Sequence, residues 1–335
     1  MVKILHITEA GGGVLDVIKN ISELDYGNNH SLLIRHRDYS SSNVDIPNKK
    51  LNVHKWKGSI LQSYVEFRKL NKKLEFDLVH IHSSRVGAIR FLFRSKAIVY
   101  SPHCFAFERT DIKYLSKILY EKFEKILLGF TNGFMAVNAF ESKWVKSDNE
   151  NIVRMEFQFV TPQKHTKRNE KCIVAIGRIC KQKDPKRFLE IINLVRNEFC
   201  DMEVIWVGEG DILLKEMLIK NNVKVTGWLK PDDVNEILAR AALLLHTAKW
   251  EGMPIVFYEA WSFGLPIVTA NANYLDEVSS AFIFDYNIEA KHLIQQIINN
   301  EISGLVFLVN KEETSIKLND FYLKVIQSKL EVKND

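Results

Sequence analysis

A chain of two doubly wound α/β units, each built on a parallel sheet, is what the sequence predicts, and three observations carry that prediction. Short apolar, β-rich runs alternate with helical patterns along the chain, which is the signature of parallel sheets with crossover helices. These runs close on glycine or polar turns, and ligands of such sheets collect at the carboxyl ends of strands. The 335 residues, 46% of them hydrophobic, are enough to fill two cores of ordinary domain size.

In the first half, Val2–Thr8 reads as a strand, and Gly11-Gly12-Gly13 precedes a helical run from Val14. Three glycines at a strand-to-helix turn let backbone approach a ligand phosphate closely, so Gly12 and Gly13 are candidate ligand contacts. No third glycine stands at the dinucleotide-fingerprint spacing, which argues against a nicotinamide site. Further strands are expected at Leu32–Arg35, Asp77–Ile81, Ala97–Ser101 and Gly133–Val137. They lead into His80 and His82, Ser101-Pro102-His103, and Asn138. His80 and His82 are expected to face opposite sides of their strand, and so are not read as a metal pair. Glu108 follows His103 closely and could orient an acceptor.

The second half repeats the alternation. Lys171–Ile176 ends in Gly177-Arg178, and Lys183 follows before a helix opened by Asp184-Pro185. Two cations at a strand's carboxyl end can neutralise a phosphate leaving group. Glu203–Val207 closes on Gly208-Glu209-Gly210, and Val223–Thr226 closes on Gly227. The apolar run Ala241–Leu245 precedes Glu251-Gly252-Met253-Pro254-Ile255-Val256, with Glu259 eight residues beyond Glu251. Pro254 suits the first helical position. The N–H groups of Ile255 and Val256 would then face an anion at the helix N-terminus. A sugar diphosphate nucleoside has a matching layout of sugar hydroxyls, diphosphate and ribose diol, so Glu251 and Glu259 would take the two diols. Leu265–Thr269 is the next strand, and Asn271–Asn273 leads into Asp276-Glu277 at a further helix start.

Taken in order, Gly177-Arg178…Lys183, Gly208-Glu209-Gly210, Gly227, Glu251…Glu259, Gly264-Leu265-Pro266 and Asp276-Glu277 resemble the donor-binding half of glycosyltransferase family 4, retaining enzymes of the two-domain GT-B fold. The resemblance is close in the second half and looser in the first. It departs at Asp184, where the family usually has glycine, and at Asn271-Ala272-Asn273, which replaces a glycine-rich turn. It implies catalytic roles for His103, Arg178, Lys183 and Glu251, and a donor-binding role for Gly12, Gly13, Gly177, Gly208, Gly227, Gly252, Met253, Pro254, Ile255, Val256 and Glu259. His103 would hydrogen-bond a hydroxyl of the transferred sugar without abstracting a proton. The active site would lie between the domains. No covalent nucleophile is implied, because the leaving phosphate would accept the incoming proton on a front-face route.

Domains are expected at 1–165 for the acceptor, at 166–312 for the donor, and at 313–335 as a terminal helix packing back on the first. The boundary falls in the polar stretch Pro162–Glu170. Residues 1–165 hold 25 Lys and Arg against 17 Asp and Glu, while the remainder holds 21 against 24. Within the basic half, Ile60–Leu74 reads as an amphipathic helix carrying Arg68, Lys69, Lys72 and Lys73, suited to an anionic membrane surface. Nothing in the pattern suggests nucleic acid. No apolar run approaches the ~18 residues of a membrane span, and no leader pattern opens the chain, so a cytoplasmic location is expected. Cys104, Cys172, Cys180 and Cys200 have no metal or disulfide spacing and are expected as reduced thiols.

The expected activity is transfer of a sugar from a nucleotide diphosphate sugar, UDP favoured over GDP, to a saccharide acceptor. By resemblance the acceptor is linked to polyprenyl diphosphate, as in surface polysaccharide assembly. No Asp-x-Asp occurs, so neither a bound metal nor a cofactor is expected. The competing readings are a nucleotide-sugar epimerase of the same fold and a binding protein without turnover.

Overall fold

The computed structural model describes residues 1–9, 13–25, 27–35, 51–146, 152–156, 172–275, 282–304 and 310–331. Two compact units result, one of Met1–Phe159 with Val309–Asp335 and one of Val160–Leu308. The expected boundary stretch, Pro162–Glu170, lies outside the described residues.

In the first unit the elements run β1 (Lys3–Thr8), α1 (Gly13–Leu24), β2 (Asn29–Ile34), β3 (Leu51–Lys55), α2 (Ile60–Leu74), β4 (Leu78–His82), α3 (Ser84–Gly87), β5 (Ala97–Ser101), α4 (Tyr114–Leu128), β6 (Gly133–Ala136), α5 (Ala139–Lys146) and β7 (Val153–Glu156). All pair in parallel in the order β3-β2-β1-β4-β5-β6-β7. β4 and β5 are buried along their whole length, as expected of parallel strands covered on both faces. β3 and β7 are edge strands that the sequence reading missed; each is short and mixes polar with apolar residues, so neither forms an apolar run.

The second unit runs β8 (Cys172–Ile176), α6 (Pro185–Arg196), β9 (Glu203–Val207), α7 (Ile212–Lys220), β10 (Lys224–Gly227), α8 (Pro231–Arg240), β11 (Leu243–His246), α9 (Ile255–Ser262), β12 (Ile267–Ala270), β13 (Ile283–Phe284) and α10 (Asn287–Ile298). Its parallel order is β10-β9-β8-β11-β12-β13. Trp206 is buried here with Phe188 edge-on at 5.1 Å.

In both sheets the order reverses beside the first strand, between β1 and β4 and between β8 and β11. A crevice opens at such a reversal, outside the carboxyl ends of the strands. The last helix, α11 (Lys311–Glu331), buries Leu318, Phe321, Tyr322 and Val325 and belongs to the first unit. It packs so closely on β6 that a Cβ at Gly133 would lie 2.4 Å from Val325 Cγ2.

Candidate active site

In the second unit the turns after β8 and β9 are pressed together, and glycine makes this possible. A Cβ on Gly208 would stand 2.1 Å from the Gly177 carbonyl oxygen, and one on Gly210 2.1 Å from that of Ile179. Gly177 and Gly208 also take φ of 140° and 144°, closed to most side chains. The N–H of Ile179 donates to the Glu209 carbonyl at 2.9 Å, and that of Asp211 to Ile179 at 2.8 Å. Arg178 rides this ridge, exposed and without an ion pair among the described residues.

The segment that follows is zipped to the loop after β11. Gln182 Nε2 donates to the Trp250 carbonyl at 2.8 Å, the Lys249 N–H to the Gln182 carbonyl at 2.8 Å, and Thr247 Oγ1 to the Lys183 carbonyl at 2.8 Å. These bonds bring Lys183 Nζ to 2.6 Å from Glu251 Oε1, with both side chains largely shielded from water. Asp184 sits at φ 50°, the left-handed conformation that glycine adopts most easily, at the position where the resemblance expects glycine. Its carboxylate caps α6 and pairs with Lys249 at 3.0 Å.

Pro254 is the N-cap of α9 and not its first helical residue, a shift of one position from the sequence reading. The Phe257 N–H donates back to the Pro254 carbonyl at 3.0 Å. The N–H groups of Ile255 and Val256 therefore remain at the helix start, where no intrahelical acceptor exists for them. Gly252, Met253 and Val256 are buried, and Glu259 is half-buried one turn into the helix. Gly227 takes φ 75° at the end of β10. Asn271 and Asn273, which stand in place of a glycine-rich turn, are not among the left-handed residues. Asp276 and Glu277 lie outside the described residues.

At the reversal of the first sheet, Glu9 is fully buried just after β1, with Arg35 Nη2 at 2.6 Å and Arg85 Nε at 3.3 Å. None of the three was anticipated, although each follows a strand next to the reversal, where the topology rule points. Gly13 opens α1, and Gly12 lies outside the described residues.

His103 follows β5 with φ 52°, and Cys104 follows with φ 92°. Two successive non-glycine residues in this region are strained, and the surroundings must hold them. Glu141 does so: its Oε1 accepts from the Cys104 N–H at 2.8 Å and its Oε2 from the Val137 N–H at 3.0 Å. Burial, opposed by these two bonds, pushes the Glu141 carboxyl up to about 7. Glu108 accepts from the Phe105 N–H at 2.7 Å, a local cap. Burial and then the charge of Glu141 push its carboxyl up to about 8.

His80 and His82 share one face of β4, their rings stacked at 4.0 Å, which corrects the expectation of opposite faces. Residues two apart on a strand point the same way. His103 Nε2 lies 2.8 Å from His82 Nδ1, His82 Nε2 2.9 Å from His6 Nδ1, His6 Nε2 2.9 Å from His30 Nδ1, and His30 Nε2 3.1 Å from Asp25 Oδ2. Burial lowers the basicity of His6, His80 and His82, and brings His103 to about 4. His6, His80 and His82 offer nitrogens within 4.8 Å of one another, a spacing a metal could use. All six of their ring nitrogens already have hydrogen-bond partners, however. Cysteines 104, 172, 180 and 200 are free thiols.

Residues 170–299 match the family described as glycosyl transferases group 1. A 41.2 kDa protein from the cps region of Klebsiella pneumoniae is 27% identical over 303 residues, covering 83% of each chain. An Escherichia coli UDP-Gal:alpha-D-GlcNAc-diphosphoundecaprenol alpha-1,3-galactosyltransferase is 26% identical over 253 residues, 64% of this chain and 62% of its own. Sucrose-phosphate synthase of Thermosynechococcus elongatus has the same fold, with a TM-score of 0.75 at 12% identity, covering 100% of this chain and 99% of its own. So has HepE of Anabaena, solved with UDP-glucose, with a TM-score of 0.70 at 13% identity and full coverage of both chains. The chain is therefore an enzyme of the GT-B fold that transfers sugars. The match to glycosyl transferases group 1 falls on the second unit, where the Lys183–Glu251 pair stands.

Proposed function

We propose that this enzyme is a retaining glycosyltransferase that moves a sugar from a UDP-sugar to a saccharide carried on polyprenyl diphosphate, in surface polysaccharide assembly at the cytoplasmic face of the membrane. The observation that carries the donor assignment is the Lys183–Glu251 pair at the β8–β11 reversal, beside the start of α9 and the exposed Arg178. As the sugar–phosphate bond breaks, negative charge gathers on the leaving phosphate, and cations facing it gain interaction in the transition state. Arg178 would grip two phosphate oxygens, and Lys183 would leave Glu251 to meet the phosphate. The freed carboxylate would then accept hydrogen bonds from sugar hydroxyls. The α9 N–H groups take the diphosphate and Glu259 the ribose, with no metal held by carboxylates and no cofactor. His103 hydrogen-bonds a hydroxyl of the transferred sugar. The E. coli relative, named for UDP-Gal and a diphosphoundecaprenol acceptor, supports this choice of donor and acceptor, as does the cps location of the K. pneumoniae one.

A thermal-shift screen of UDP-, GDP- and ADP-sugars tests the donor, since a ligand of the native state raises the melting temperature. UDP-sugars should give the largest shift; a larger one with GDP- or ADP-sugars would overturn the base assignment. Sugar epimerisation of the UDP-sugar without any acceptor would replace this reading with the epimerase.

No helix among the described residues is long and apolar enough to cross a membrane. Surface docking is supported best by α4 and less by the expected α2. On α2, Phe67 is buried and Tyr64 meets Phe93 edge-on at 5.4 Å, so much of its apolar face is taken up by the core. On α4, by contrast, Leu115, Leu119, Phe123 and Ile126 stand exposed at helical spacing among Lys113, Lys117, Lys122 and Lys125. Its inner face is fastened by Glu124, which accepts from buried Arg90 at 2.9 Å and from Tyr100 at 3.0 Å. Basic margins beside an apolar stripe suit an anionic lipid surface. Replacing Leu115, Leu119 and Ile126 by Ser should abolish co-sedimentation with phosphatidylglycerol vesicles. Reversing Arg68, Lys69, Lys72 and Lys73 to Glu should only weaken it. The opposite ranking would return the role to α2.

A further inference from the structure

We propose that Asp25, a buried residue at the end of α1, is a positioning residue for His103, fixing through three intervening imidazoles which nitrogen of His103 carries its proton. The inference rests on the reading of His103 as a partner of a sugar hydroxyl.

The direction of donation follows from the partners when each ring carries a single proton. Both oxygens of Asp25 accept from Asn28 Nδ2 at 2.9 Å, and Oδ2 also faces His30 Nε2 at 3.1 Å. A carboxylate only accepts, so His30 must carry its proton on Nε2. Burial disfavours the charged form at His6, His82 and His103, and a neutral imidazole has one donor and one acceptor nitrogen. With His30 carrying that one proton, its Nδ1 is an acceptor, so His6 donates from Nε2. His6 Nδ1 accepts in turn from His82 Nε2, and His82 Nδ1 from His103 Nε2. At the far end His103 presents a bare Nδ1, and that atom has no hydrogen-bond partner among the described residues.

A branch of the same cluster obeys the same logic. Ser101 Oγ donates to the Met135 carbonyl at 2.9 Å, so it accepts from His80 Nε2, also at 2.9 Å. His80 Nδ1 is left to accept from the Tyr322 hydroxyl of α11 at 3.0 Å. All five rings therefore carry the proton on Nε2, and no donor meets a donor anywhere in the network.

The consequence for chemistry is specific. At neutral pH His103 offers a hydrogen-bond acceptor, suited to a hydroxyl donor and unsuited to a phosphate or carbonyl oxygen. Glu141 fixes the backbone on which the ring is mounted, and Asp25 fixes the ring's polarity from four residues away along the bonded chain. Neither touches the substrate.

Long-range proton–nitrogen NMR on the full chain with ring-¹⁵N histidine reads the tautomers directly, without ligand. The wild type should show His103, His82, His6 and His30 protonated on Nε2 alone. Asp25→Asn, whose amide can donate as well as accept, and His30→Phe, which breaks the chain, should each give His103 a population protonated on Nδ1. UDP affinity, a property of the second unit, should change less than twofold in both. Turnover should fall two- to tenfold in Asp25→Asn, the worth of one neutral hydrogen bond. A wild-type His103 protonated on Nδ1 overturns the relay outright, even where both variants fail to fold, and so does an unchanged single tautomer in both folded variants. If the tautomer shifts while turnover is unaffected, the relay stands, but His103 does not meet the sugar and the positioning role falls.

Discussion

The two units solve the same topological problem with opposite materials. At the reversal of the second sheet the functional groups are charged, partly open to water and paired across loops, Lys183 with Glu251 and Asp184 with Lys249. Near the reversal of the first sheet, beside the buried Glu9 and its two arginines, they are imidazoles stacked inside the strands and terminated by one buried carboxylate. The first arrangement can exchange partners when a charged ligand arrives, because water and the ligand both compensate the separated charges. The second cannot rearrange without leaving a buried donor or acceptor unmet, which costs about 1–3 kcal/mol per group. One region is free to reorganise around a ligand, and the other is fixed before any ligand binds.

The largest effects should come from breaking the charged side. Arg178→Ala and Lys183→Ala should each lower kcat by roughly 10²–10³, in line with the loss of one preorganised oxyanion donor. Arg178→Lys should recover little, since an ammonium does not reproduce a planar fork. The double variant should fall well short of the product of the singles, because both act on one leaving group. Near-normal kcat in a folded single variant, with folding followed by circular dichroism, would end this account of the site.

A smaller effect separates the two glutamates. Glu259→Ala should weaken UDP binding by about 1.5–3 kcal/mol through loss of a charge-assisted bond. Glu251→Ala should spare UDP affinity and reduce turnover, as its partner is the sugar. Calorimetric titration of UDP into both variants decides the matter, and equal losses would contradict the division.

The smallest effect lies on the neutral side and is read from pH. The lowered values of His6, His80, His82 and His103 mean that the unfolded chain binds more protons below its own histidine value near 6.5. Their contribution is complete above that pH and is lost as pH falls toward 4. Glu141 at about 7 and Glu108 at about 8 act in the other direction, holding protons that the unfolded state has released. Stability should therefore decline by ~1–2 kcal/mol between pH 6.5 and 8.5, and Glu108→Gln should flatten that decline. Urea unfolding at several pH values measures it; a rise over that range in the wild type would show that these carboxyls are already ionised.

Much of this architecture was legible in the sequence, and the exceptions are physical. Strands such as Ala97–Ser101 and Glu203–Val207 were read from apolar runs, because both faces of a parallel strand are buried. β3 and β13 were missed because an edge strand or a two-residue strand carries little apolar signal. The glycine turns after β8, β9 and β10 were legible because each follows an apolar run directly. The Lys183–Glu251 pair was not, since the fold alone brings together residues 68 positions apart. His6, His30 and Asp25 escaped for a different reason: a histidine within an apolar strand looks like any half-tolerated polar residue. Only the register, with His6 opposite His80, turns separate rings into a chain.

Helix α11 has a consequence for how the protein is made. The hydroxyl that meets His80, and the valine for which Gly133 leaves room, are encoded after the whole of the second unit. At synthesis rates of ~5–20 residues per second, roughly 8–30 s pass between emergence of the one domain's sheet and arrival of the helix that covers it. During that interval the nascent first domain carries a bare patch over β5 and β6. Ribosome stalling late in the message would leave that patch uncovered while the second domain is already whole.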